Sequence, residues 1–204
     1  MLDALDLIGT FVFAMAGGFR ATRHALDFLG VLVLAIATGV GGGLIRDMLL
    51  GATPAAALYD ERYLLICLIG GLVAFLAAPR VAQHWNRVMI ADAIGLGVFA
   101  AIGAAKAMTF ELGPIGVIAM AALTATGGGA VRDILVREVP AVIKHDFYAT
   151  AALIGGAVYL GAHHLHAPES VALWATVFVT TTLRFVAMYG KVRLPVATVP
   201  PEPS

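Results

Sequence analysis

A seven-residue phrase occurs twice in this chain. Gly41-Gly42-Gly43-Leu44-Ile45-Arg46-Asp47 is echoed 86 positions later by Gly127-Gly128-Gly129-Ala130-Val131-Arg132-Asp133. Each copy lies in a long apolar stretch, where every glycine weakens a helix by about 1 kcal/mol relative to alanine and leaves backbone carbonyls approachable. An Arg-Asp step is itself costly in hydrocarbon and marks a place where something polar happens. One reading is a pair of broken or kinked helices whose carbonyls, with the hydroxyls of Thr38, Thr124 and Thr126, line an aqueous path. Groups freed by a break are tolerated only where they face protein or water. The other reading is close helix packing, for which small residues are common in membranes. Two matched triplets, each followed by charges, favour the path.

At 1.5 Å per residue from about Phe28, Gly41 lies roughly 20 Å into its helix and Arg46 about 27 Å in. The charges therefore fall near a membrane boundary. Adjacent helical residues point about 100° apart, so Arg46 and Asp47 do not form a simple fork toward one partner. Crossed pairing, Arg46 with Asp133 and Arg132 with Asp47, is one expectation. A local Arg-Asp contact with each arginine snorkelling to the interface is the other. Asp6 and Asp92 begin their helices, where complementing the helix dipole accounts for them. Arg20 and Lys106 end the same helices, and Lys106 could in addition repel or gate cations at a mouth.

The elements that position these residues follow from composition. Of 204 residues, 60% are hydrophobic and 13% charged, with mean hydropathy +0.92, against roughly 25% charged in a soluble domain. The chain is therefore expected to be an all-α integral membrane protein. Seven segments approach the 20 or so apolar residues a span needs: about 4–20, 28–50, 63–80, 88–107, 115–136, 147–165 and 169–189. Arg20, Arg23, Arg80, Arg87, Arg137, Lys144, Lys191 and Arg193 collect on one side of this arrangement, and Arg62 and Lys106 on the other. By the positive-inside rule the N-terminus is outside and the C-terminus cytoplasmic. The location expected for a prokaryotic chain is the plasma (inner) membrane.

Sliding the chain by 86 positions without a gap matches 23 of the 65 residues from 6 to 70. Asp6 falls on Asp92, Gly9 on Gly95, Phe13 on Phe99, Gly17 on Gly103, Thr38 on Thr124, Pro54 on Pro140 and Asp60 on Asp146. With three helices per copy the second enters from the opposite side, giving an inverted repeat of the kind that surrounds a central pathway. Repeat one spans about 4–80 and repeat two about 88–165. The seventh helix, about 169–189, has no partner and is available for bracing or for a subunit contact. The whole forms a single transmembrane domain over 1–190. Residues 191–204 are proline-rich and expected to be a disordered cytoplasmic tail.

Several function classes are excluded. A formal net charge of zero offers no basic footprint for nucleic acid. Cys67 is the only cysteine and reads as packing. Ala14-Met15-Ala16 fits a small-residue cleavage pattern, but Asp3 and Asp6 give the preceding region the wrong charge for a signal peptide, so the first segment is expected to be retained. His163, His164 and His166 lie in a loop and read as solvent-facing. No catalytic triad order, HExxH or GxxxxGK[ST] loop is present, so neither an enzyme nor a cofactor is expected.

At the duplicated phrase and the two three-helix units, over about residues 4–190, the chain resembles the TRIC family, the trimeric intracellular cation channels and their prokaryotic relatives. The resemblance implies a homotrimer with a pore in each subunit and monovalent cations, mainly potassium, as permeants. It implies a path lined by the second and fifth of the seven helices. It reaches Gly41, Gly42, Gly43, Arg46, Asp47, Gly127, Gly128, Gly129, Arg132 and Asp133. It does not reach the acidic-lipid regulation of animal members, because no Lys-Glu-Val phrase stands in the fifth helix. A secondary transporter of a small solute such as glycine is the alternative the family also implies.

Overall fold

In the computed structural model, which describes residues 2–81, 85–144 and 147–190, the described residues form helices and their connections, with no strand among them. The order is α1 (Leu2–Arg23), α2 (Phe28–Leu50), α3 (Ala56–Tyr59), α4 (Glu61–Val81), α5 (Trp85–Thr109), α6 (Pro114–Leu135), α7 (Ala141–Lys144), α8 (Tyr148–His164) and α9 (Glu169–Gly190). The long helices coincide with the apolar segments, so the second and fifth segments are α2 and α6. The four-residue helices α3 and α7 follow the two Arg-Asp steps. Six helices, α1, α2, α4, α5, α6 and α9, are long and apolar enough to cross a membrane. α8 has 17 residues, about 26 Å of helix. The protein is an integral membrane protein. Asp146, Lys191, Arg193 and the tail 191–204 lie outside the described residues.

Local chemistry sets the boundaries of the two central helices. Asp27 is extended, and its Oδ1 accepts a hydrogen bond from the Gly30 amide at 2.7 Å, capping α2. α2 stops at Gly51, whose φ of 70° is left-handed and whose amide returns to the carbonyls of Asp47 and Met48. α6 opens with Pro114 just after Gly113, where a missing N–H costs nothing.

The glycine triplets do not break either helix, since α2 and α6 run uninterrupted through them. A Cβ on Gly41 would sit 3.3 Å from the Gly128 Cα, and one on Gly127 would sit 3.2 Å from the Gly42 Cα. A Cβ on Gly42 would strike the Thr124 carbonyl oxygen, and one on Gly128 the Thr38 carbonyl oxygen. The triplets therefore let α2 and α6 cross backbone against backbone, which corrects the expectation of a helix break. The missing side chains admit a neighbouring helix, and the intrahelical ladder survives. The threonine hydroxyls likewise turn inward along their own helices: Thr38 donates to the Leu34 carbonyl (2.6 Å), Thr124 to Met120 (2.7 Å) and Thr126 to Ala122 (2.8 Å).

The same reciprocity extends outward from this crossing. Phe13 of α1 meets its own repeat counterpart, Phe99 of α5, at 5.0 Å between ring centroids. Gly17 leaves room for the Thr38 side chain, and its counterpart Gly103 leaves room for Thr124. The four helices thus stack in the order α1, α2, α6, α5, with α4 against α1 and α2, α8 against α5 and α6, and α9 covering α5 and α8.

Because backbone cannot yield as a flexible side chain can, Gly42→Ala and Gly128→Ala should each destabilise the protein by about 1–3 kcal/mol. Gly161→Ala, in the helical run of α8 with nothing within 4 Å of its added Cβ, should be neutral or stabilise by up to about 1 kcal/mol. Thermal unfolding in detergent measures the three. Equal melting of Gly42→Ala and Gly161→Ala would contradict the crossing.

Candidate functional site

Each Arg-Asp step ends a central helix, and each aspartate is enclosed. Asp47 and Asp133 are both 1% exposed, Arg46 is 3% and Arg132 is 7%. Asp47 Oδ1 accepts from Arg46 Nε at 2.7 Å and from Lys106 Nζ of α5 at 2.7 Å, while its Oδ2 accepts from the Ala56 amide at 3.0 Å. Arg46 Nη1 stands 4.0 Å from Asp6 Oδ2, and the Tyr63 hydroxyl donates to that same oxygen at 3.0 Å. One carboxylate therefore ties α2 to α5 and to the start of α3, and a second links α1 and α4 to the arginine.

The second site repeats this plan. Asp133 Oδ1 accepts from Arg132 Nε at 2.9 Å, and its Oδ2 accepts from the Ala141 amide at 2.9 Å. Arg132 Nη1 donates to Asp92 Oδ1 at 3.2 Å, and Arg20 Nη2 stands 4.0 Å from Asp133 Oδ1. In the 86-residue register Asp6, Arg46, Asp47 and Arg20 match Asp92, Arg132, Asp133 and Lys106. The basic partner from the other copy is held differently at this end of the molecule. Arg20 is drawn to Glu138, with which it forms an ion pair, and His24 Nε2 lies 2.8 Å from the other oxygen of Glu138. The two clusters are set about 21 Å apart by the fourteen residues from Asp6 to Arg20 along α1, with the glycine crossing between them.

These contacts replace the crossed pairs. Arg46 does not reach Asp133, nor Arg132 Asp47, because the two steps sit at opposite ends of the crossed helices. A flexible arginine stem bridges the 100° step and brings Nε back onto the neighbouring carboxylate. The site also includes Asp6 and Asp92, which the sequence explains locally as complements to their helix dipoles, and Arg20, which it places at a helix end. Their signal was present in the register that pairs Asp6 with Asp92 and Arg20 with Lys106. Tyr63, Tyr148 and Arg184 carried no such signal. His163 and His164 end α8 in an exposed position, and among the described residues no three His, Cys, Asp or Glu side chains group to hold a metal.

A cavity opens beside each cluster. One, of about 230 Å³, is lined by residues that include Asp3, Asp6, Arg46, Tyr63 and Lys106. The other, of about 110 Å³, is lined by Arg20, Asp92, Arg132, Tyr148 and Arg184 among others.

Helices that bury paired charges at both ends of a glycine crossing define a polytopic membrane protein. The chain belongs to the TRIC family: the family model described as glycine transporter matches residues 3–79 and 89–164, segments that begin 86 positions apart. A membrane protein of the UPF0126 group from Deinococcus radiodurans is 43% identical, over 98% of this chain and 93% of its own. A structure solved to explain conductance through TRIC cation channels superposes with a TM-score of 0.90 at 40% identity, covering 97% of this chain and 98% of that one. The TRIC trimeric intracellular cation channel orthologue from Rhodobacter sphaeroides superposes at 0.89 with 34% identity, covering 94% and 98%.

Local pairing makes a specific demand on double-mutant cycles read by chemical unfolding. Arg46→Ala and Asp47→Ala should couple by about 1–3 kcal/mol, whereas Arg46→Ala and Asp133→Ala should add within about 0.5 kcal/mol. The reverse order of coupling would restore the crossed arrangement.

Proposed function

We propose that the protein is a cation channel whose path runs inside each subunit, between the two repeats, with the two cavities as its mouths and the α2–α6 crossing as its constriction. The observation that carries this reading is the duplicated charge cluster at both ends of one backbone crossing. The likeness to TRIC cation channel structures at 40% and 34% identity supports it. Potassium and other monovalent cations are the proposed permeants, and the assembly is a homotrimer in the bilayer. Its topology is seven spans, with α8 as the short one, arranged as two inverted three-helix repeats plus α9. The N-terminus lies outside and the C-terminus in the cytoplasm, as the placement of Arg20, Arg23, Arg80 and Arg137 favours. The contacts of Lys106, at the end of α5, with Asp47 and of Arg20, at the end of α1, with Asp133 favour the inversion.

The residues of the path are Thr38, Gly41, Gly42 and Gly43 on α2 and Thr124, Thr126, Gly127, Gly128 and Gly129 on α6. The helical carbonyls keep a second lone pair beside their ladder bonds, and once the crossing opens these oxygens replace part of an ion's hydration. Arg46, Asp47, Arg132, Asp133 and Lys106 act as its gate. With Asp47 and Asp133 held by cations and amides, neither of these two carboxylates is free to attract a permeant ion at the ends of the crossing, so the arrangement corresponds to a closed path. Opening requires that Lys106 on one side and Arg20 on the other release these carboxylates.

A second reading is a transporter of a small solute such as glycine that uses the same repeat for alternating access, in line with the description the matching family model carries. Rate separates the two. Purified protein in a planar bilayer with symmetric potassium chloride should give unitary potassium currents. Saturable glycine uptake into proteoliposomes without unitary currents would establish the transporter instead.

A further inference from the structure

One charge at the smaller cavity goes unanswered. Arg184 belongs to α9, outside both repeats, and is 7% exposed. Its guanidinium carbon lies 4.8 Å from the centre of the Tyr148 ring. Among the described residues Arg184 has no carboxylate partner, and its Nε is buried with no acceptor. The Tyr148 hydroxyl, on a residue 1% exposed, is buried with no acceptor in full hydrogen-bond geometry, the Asp92 carboxylate being the acidic group near it. An aromatic face attracts a cation but leaves its N–H donors unmet, and a buried guanidinium without an acceptor is the costly case.

The surroundings favour a negative ligand. Arg132 is engaged by Asp133 and Asp92, and Arg20 by Glu138. Arg20, Arg132 and Arg184 line the cavity with Asp92 as the one carboxylate among its lining residues. At the other end Arg46 and Lys106 face Asp3 and Asp6. α8 begins at Tyr148 without a side-chain cap, so its first amides add positive potential.

We propose that this cavity binds a small soluble oxyanion, a phosphate or carboxylate, held by the Arg184 guanidinium and the Tyr148 hydroxyl. About 110 Å³ suits a compact anion, and planar N–H donors match its oxygens. The ligand neutralises the charge that α9 adds to one end of an otherwise duplicated arrangement. The site stands independently of whether ions pass through the protein.

The test uses the full chain in detergent at constant ionic strength, with chloride replaced stepwise by inorganic phosphate and the melting temperature followed. The wild type should show a saturable upward shift. R184Q should lose it while melting no lower than wild type in chloride, and Y148F should need more phosphate to reach it. A general salting effect of phosphate rises without saturation and is shared by all variants, so an equal shift in R184Q overturns the proposal. A wild type that ignores phosphate and responds only to micelles containing phosphatidylglycerol also overturns it, in favour of a lipid headgroup. Should R184Q not fold, phosphorus NMR of wild type decides. Line broadening of inorganic phosphate relieved by acetate but not by chloride supports the site, and unbroadened lines overturn it.

Discussion

An aspartate enclosed by apolar helices has to be met by positive charge and by hydrogen-bond donors, or it protonates or the fold opens. Asp47 and Asp133 impose that demand at the two ends of the molecule, and much of the architecture answers it. Each takes its own arginine neighbour, the amide of the short helix or loop that follows, and a basic residue at or near the end of a helix from the other copy. The loop after α2 is thereby fixed onto the bundle by Ala56, and the loop after α6 by Ala141. α5 is tied to α2 through Lys106, and α1 is brought to α6 through Arg20. Removing one partner of such a buried pair typically costs about 3–5 kcal/mol, so these clusters hold the ends of the bundle together as well as setting their electrostatics.

Between the two clusters the chain does the opposite and removes side chains. Gly41 and Gly42 lie against Gly127 and Gly128, and the threonine carbonyls occupy the space where Cβ atoms would be. Without a hydrophobic driving force in lipid, helices associate through such close van der Waals contact. The result is a tight waist between polar ends. Phe13 also meets Phe99, its counterpart in the 86-residue register. α9 departs from this duplication. It brings Arg184 to one cavity only, so the two ends carry the same plan with different charge.

Much of this was legible in the residues, and the limits of that legibility have physical causes. Long apolar runs bounded by Asp27, Gly51 and Pro114 located the central helices, because caps and breakers act locally. The duplicated phrase located the clusters. Its glycines read equally as a break or as a contact surface, since both rest on an absent side chain, and only the facing helix decides between them. Asp6 and Asp92 were explained locally by helix dipoles, and their partners lie forty residues away in sequence. Tyr63 and Tyr148 do not fall on one another in the 86-residue register, and Arg184 lies outside it, so none of the three is marked by the duplication.

Lys106 is the link whose release is the proposed opening step, and it reaches Asp47 from a different helix at 2.7 Å. The most direct measurement is therefore single-channel recording of Lys106→Gln in a planar bilayer beside wild type. A higher open probability, with longer openings, is expected, because Asp47 loses its clamp to α5 while Arg46 and the Ala56 amide still hold it in place. An open probability unchanged from wild type, in a variant that folds and conducts, would contradict it.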